Sequence, residues 1–255
     1  MKIIPVALTL YTVRDELNRD FGETLRKIKD IGYDFIEIGG FGPYDTGEWK
    51  KVLNGLGMKI VSNHIEIEML EQSLNHIAEF NLEIGNKNLV VPYLREERRD
   101  ADGFKKAAES MNNIGLRCKG LGMRLYYHNH SFEFAKYNGK TGHQILIENT
   151  DPRYVSFQFD TYWLQYGGEN PAEYTKKYAD RVGYMHLKDM LDDGKKSFAE
   201  VGEGILDFVS IFKAAAESDV EWFAVEQDIC RRPSLESAKM SLENIRKLKI
   251  DTGIK

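Results

Sequence analysis

The stretch LYYHNHSFEF, residues 125–134, places two of the chain's six histidines, His128 and His130, two positions apart, with Glu133 three further on. Imidazoles and carboxylates in such an order can hold a divalent ion or move protons near neutral pH. Similar residues recur in FIEIGG (Glu37), IVSNHIE (His64), FQFDTYW (Asp160), YMHLKD (His186) and FAVEQD (Glu226), each ending an apolar or β-branched run. One at a time they read as helix caps or satisfied polar groups. Glu37 reads equally as an outward residue of an alternating strand, and His64 as a cap with Glu66 behind it. Together they read differently, because four successive strand ends carry His, Asp, His and Glu. Burying such groups is costly without a counter-charge, and one shared divalent cation satisfies them all. Nitrogen and oxygen donors without thiolate suit a single Mn, Co, Mg, Fe or Zn ion in an open site.

The elements that must position these residues alternate along the whole chain. Strands are expected over 3–11, 35–38, 59–64, 88–91, 124–128, 155–160, 182–187 and 222–226. Helices are expected over 21–31, 47–55, 70–84, 104–120, 141–148, 171–178, 207–218 and 234–248. Glycines close helices just before strands in DIGYDFIEI, GLGMKIV and GLGMRLYYH. Eight such units in 255 residues, with no linker or low-complexity tract between them, predict an α/β fold in which 1–255 is a single-domain (β/α)8 TIM barrel. Chemistry in that fold sits at the carboxyl ends of the strands, where the residues above fall. An open doubly wound sheet is the alternative. Its phosphate loop is poorly matched, since 40–45 reads Gly-Phe-Gly-Pro-Tyr-Asp, without the third glycine and with a proline where a helix should open.

Composition narrows the function classes. A net charge of −5 and 35 scattered basic residues argue against a nucleic-acid partner, which demands a basic stripe. The densest basic cluster, 95–99, is broken by Glu96 and Glu97 and reads as a solvated loop or helix start. The opening MKIIPVALTLYTVRDEL reads as a first strand rather than a signal peptide, and no apolar run is long enough to span a membrane. With Cys118 and Cys230 alone, no disulfide framework is expected, which suits the cytoplasm. HExxH, GxSxG and P-loop motifs are absent. Lys188, two residues after His186, could form a Schiff base, but its charged neighbours favour substrate binding. Tyr11, Phe41, Tyr93, Phe132, Trp163 and Tyr166 follow strands and read as packing or as a wall against a sugar.

LYTVRD, GYDFIEI, YYHNHSFEF, FQFDTYWLQYGG, RVGYMHLKDM, EVGEGILDF and WFAVEQD together make the chain resemble, over essentially its whole length, the xylose isomerase-like TIM barrels called sugar phosphate isomerases/epimerases. The resemblance implies one divalent ion held by Glu, Asp, His and Glu from strands five to eight. Asp160, His186 and Glu226 match this set. At strand five the sequence departs from it: His128 stands where 3-epimerases have a glutamate, and Glu133 follows in the loop. Either His128 takes the ligand's place or Glu133 reaches back to the metal; the second is preferred, giving Glu133, Asp160, His186 and Glu226. Glu226, His128, His130 and Glu133 then supply acid and base, while Glu37, His64, Lys188 and Trp163 bind substrate. The activity implied is isomerisation or epimerisation of a keto- or aldo-sugar, or its phosphate, through a metal-stabilised enediolate. The alternative is a dehydratase or lyase of a keto-sugar or inosose, because two unlike bases also suit elimination. An endonuclease IV-like phosphodiesterase and a non-catalytic sugar-binding barrel rank lower. The partner expected is a small sugar, and dimers are frequent among such barrels.

Overall fold

The computed structural model describes residues 2–252. The ends of the expected 1–255 domain, residue 1 and residues 253–255, lie outside the described residues. Eight parallel strands close into a barrel: β1 (Val6–Thr9), β2 (Phe35–Gly39), β3 (Lys59–His64), β4 (Asn88–Val91), β5 (Arg124–His128), β6 (Val155–Asp160), β7 (Val182–Leu187) and β8 (Trp222–Val225). Neighbours run in sequence order, with β8 closing against β1.

Local chemistry sets the element ends. The helix Phe21–Ile31 starts where Asp20 accepts from Glu23 N and ends at Gly32, whose φ of 110° suits a residue without a side chain. The glycine-rich stretch after β2 opens a helix, Thr46–Leu56, through a reciprocal capping box between Asp45 and Glu48. It is a turn and a cap, not a dinucleotide loop.

Outward strand residues such as Leu8, Ile36, Leu89, Phe157 and Phe223 pack with the helices into one apolar core. Inside the barrel, Ala7, Val61 and Ala224 form one small cluster and Val90, Tyr126 and Tyr184 another, both resting on Trp222. The Tyr126 and Tyr184 rings meet edge to face at 4.6 Å. Alternate residues of a strand share a face, so two positions beyond this plug the inward residues become Thr9, Glu37, His128, His186 and Glu226. The interior is apolar below and ionisable above.

Some expectations change. The first strand is shorter than 3–11, because Leu10–Val13 turns into a 3-10 helix. The helix expected from 70 begins earlier, spanning Ile67–Glu83. Short helices Arg14–Leu17 and Thr161–Tyr166 were not anticipated. The basic cluster holds a 3-10 turn, Glu96–Arg98, with Arg95 and Arg98 paired to Glu66, Glu68 and Glu71. No helix among the described residues is long and apolar enough to cross a membrane.

Candidate functional site

Glu37 stands on the barrel axis side of β2, fully buried, and not on the outer face that alternation alone allows. Its two oxygens accept from Thr9 Oγ1 (3.1 Å), Ser62 Oγ (2.5 Å) and Gln158 Nε2 (2.6 Å), and lie 2.5 Å from His186 Nε2 and 3.2 Å from His64 Nε2. The strand register shifts beside both Glu37 and Gln158, aiming these side chains at one another across the barrel. Burial alone would raise the Glu37 pKa, but His186 and His64 hold it well below the usual carboxylate range. So many donors leave Glu37 little capacity for a substrate hydroxyl. His64 is spent similarly, its Nε2 lying 2.9 Å from Gln158 Oε1.

The opposite nitrogen of His186, Nδ1, lies 2.9 Å from Glu226 Oε2 and 4.0 Å from Asp160 Oδ2. Burial works against its charged form, yet Glu37 and Glu226 outweigh burial and raise it to about 10. Asp160 uses Oδ1 to cap Thr161–Tyr166, accepting from Trp163 N at 2.8 Å, and accepts no hydrogen bond on Oδ2. It is therefore a helix cap and an inward-facing carboxylate at once. Burial lifts it to about 6 against the pull of Lys188 and His186. Burial also pushes Glu226 upward, but Lys188 and His186 keep it well below its ordinary value.

His128, Asp160, His186 and Glu226 each present a donor atom, and these atoms lie within 4.8 Å of one another. The set suits a divalent ion. Two nitrogen and two oxygen donors converge, His128 Nδ1 and Asp160 Oδ2 lack hydrogen-bond partners, and Glu37 fixes the His186 ring from behind as outer carboxylates do for metal-bound histidines. A second group, Glu37, His64 and His186, is equally compact, but its atoms already satisfy one another.

Glu133 lies apart from the cluster. Its Oε1 accepts from Tyr127 Oη (2.8 Å) and its Oε2 from His130 N (2.9 Å), so the carboxylate closes its own loop instead of reaching inward as preferred from the sequence. Burial raises it to about 7 in spite of the Tyr127 hydrogen bond. His130 has Nδ1 without a partner, its ring 5.4 Å from Trp163 and stacked 6.0 Å from Phe132. Burial, reinforced by Lys188, lowers it to about 3, and burial with neighbouring His186 and His130 takes His128 well below the ordinary imidazole value. Of the aromatics flagged after strands, Phe132, Trp163 and Tyr166 gather here. Phe41 packs on Phe80 instead, and Tyr93 donates to Glu66.

Sequence reasoning missed Gln158, two residues before Asp160 on β6, and Asp228, two residues after Glu226 in the bend beyond β8. It also missed Asn129, whose Oδ1 accepts from Asp160 N at 3.1 Å. Lys188, expected from sequence to bind substrate, is 1% exposed, between Asp160, Glu226 and Asp228.

Comparison with known proteins agrees with this architecture. The inosose dehydratase of Geobacillus kaustophilus is 28% identical over 270 residues, covering 89% of this chain and 86% of the relative. That of Clostridium beijerinckii is 28% identical over 251 residues, covering 82% of each. The crystal structure of a sugar phosphate isomerase/epimerase from Parabacteroides distasonis superposes with a TM-score of 0.84 at 24% identity, covering 96% of this chain and 94% of that one. The family model for the xylose isomerase-like TIM barrel matches residues 25–248, and to that family this chain belongs.

Proposed function

We propose that the protein is a divalent-metal-dependent dehydratase of an inosose or closely similar cyclic keto-sugar. The observation that carries the reading is the unlike pair of groups across the ligand cluster. Glu226 supplies a carboxylate on one side, and His128 with His130 supplies imidazoles where an epimerase would need a second carboxylate. The shared name of the curated relatives supports elimination over the isomerisation or epimerisation first expected.

In this reading His128, Asp160, His186 and Glu226 hold the ion. When bound, a divalent ion there would polarise a substrate carbonyl and offset the negative charge that develops on its oxygen. Glu226, held ionised through the neutral range, accepts the proton from the carbon beside that carbonyl. His130, with Nδ1 free of protein partners and kept neutral by burial and Lys188, hydrogen-bonds the departing hydroxyl, which leaves as water carrying the proton that Glu226 removed from the carbon. Trp163 and Phe132 cover the apolar face of the sugar ring, and Glu37 holds His186 in place.

The test is ¹H NMR in D₂O of Mn²⁺- or Co²⁺-loaded protein with an inosose. The expected result is loss of one water, abolished by a chelator and restored by the metal. Deuterium entering beside the carbonyl with no dehydrated product would overturn elimination in favour of epimerisation.

A further inference from the structure

Lys188 is an unusual tenant of this site. Its ammonium is buried and lies 3.0 Å from Asp160 Oδ2, 2.8 Å from Glu226 Oε2 and 2.7 Å from Asp228 Oδ2. Coulomb attraction to Asp160, Glu226 and Asp228 outweighs the cost of burying the ammonium and holds it there. Two of the three oxygens are also the inward oxygens of candidate metal ligands, since Glu226 Oε2 and Asp160 Oδ2 both look onto His186 Nδ1. A metal–oxygen bond of about 2.0–2.2 Å would set a dication close to the ammonium, and like charges at that separation repel strongly in a buried setting.

We propose that Lys188 is a built-in competitor of the metal. It neutralises Asp160 and Glu226 in the metal-free protein and withdraws toward Asp228, which lies outside the ligand set, when the ion enters. The inference rests on the reading that the cluster takes a divalent ion. Lys188 thereby sets how tightly the ion is held while keeping the empty cluster folded.

Mn²⁺ binding by calorimetry on the metal-free full chain tests this. Lys188→Met should bind Mn²⁺ about tenfold tighter or more than wild type. Its metal-free form should melt lower than wild type, and Mn²⁺ should raise its melting temperature by more. Lys188→Gln, neutral but able to hydrogen-bond, replaces it if the methionine variant does not fold. Asp228→Asn should weaken Mn²⁺ binding several-fold in wild type and leave it unchanged in the Lys188→Met background. Mn²⁺ uptake with unchanged or weaker affinity in both Lys188 variants would overturn the competition alone, as would an equal Asp228→Asn effect in both backgrounds. Failure of wild type and variants alike to take up Mn²⁺ would overturn the metal reading and the competition together.

Discussion

Tyr127 Oη donates to Glu133 Oε1 at 2.8 Å, and that bond decides what Glu133 does. The other oxygen receives His130 N, so the carboxylate ties the end of β5 to the turn that follows it. A side chain committed on both oxygens is a brace for the turn that carries His130 past the end of β5. Strand five accordingly offers an imidazole to the candidate ligand set.

Separate substitutions at Glu133 and His128 distinguish brace from ligand. Glu133→Gln should keep its Mn²⁺ stoichiometry while losing about 1–3 kcal/mol of stability, since a buried amide N–H₂ would face donors. His128→Ala should lower Mn²⁺ affinity about tenfold or more. Calorimetry and chemical denaturation of both variants check this; metal lost from the glutamine variant and kept by the alanine variant would reverse the assignment.

Glu37→Gln should weaken metal binding roughly 10–100-fold although Glu37 is not itself in the candidate set of four, because it fixes the ring of His186. The readout is Mn²⁺ affinity set beside KM for the sugar. A rise in KM at unchanged metal affinity would return Glu37 to the substrate-binding role expected from sequence.

His143 makes stability depend on acid. It is buried among Phe134, Phe157, Phe159 and Tyr174, with Nδ1 2.7 Å from Tyr174 Oη, and burial followed by Arg181 lowers its pKa from 6.5 to about 3. The unfolded chain binds the proton first, so the contribution is fully present above pH 6.5 and is lost as pH falls toward 3. A displacement of that size corresponds to on the order of 4–5 kcal/mol. Urea unfolding between pH 7 and 4 should show a steeper loss for wild type than for His143→Leu. Parallel slopes would remove His143 from the account.

Asp189 is the anchor of the loop after β7. Its carboxylate accepts from the backbone N–H groups of Met190, Gly202, Gly204 and Leu206. Asp189→Ala orphans these donors and should cost about 2–4 kcal/mol, with Asp189→Asn recovering part of it. Differential scanning calorimetry of the two variants checks the order; equal melting temperatures for alanine and wild type would contradict it.

Much of this was legible in the sequence because the barrel repeats one simple rule. Apolar runs at 59–64, 124–128, 155–160 and 182–187 coincide with β3, β5, β6 and β7, and glycine stops marked helix ends at Gly32 and Gly57. Asp160, His186 and Glu226 converge because strand-end position and inward parity are both readable from spacing. The strand-five carboxylate was not readable, since whether Glu133 points inward depends on Tyr127, a residue that reads only as strand core. Glu37 was assigned to substrate because sequence shows a carboxylate but not the five donors that four other strands bring to it. Gln158 and Asp228 escaped notice for a similar reason: neither type announces chemistry until its neighbours are in place.

The two bonds made by Asp160 have a mechanical consequence. Its Oδ1 grips the backbone of Trp163, while its Oδ2 belongs to the ligand cluster. The indole that would lie along a sugar and the oxygen that would grip an ion are thus opposite ends of one short lever. A ligand resting on Trp163 would therefore be coupled to an ion at the cluster through a single carboxylate, without any larger movement of the barrel.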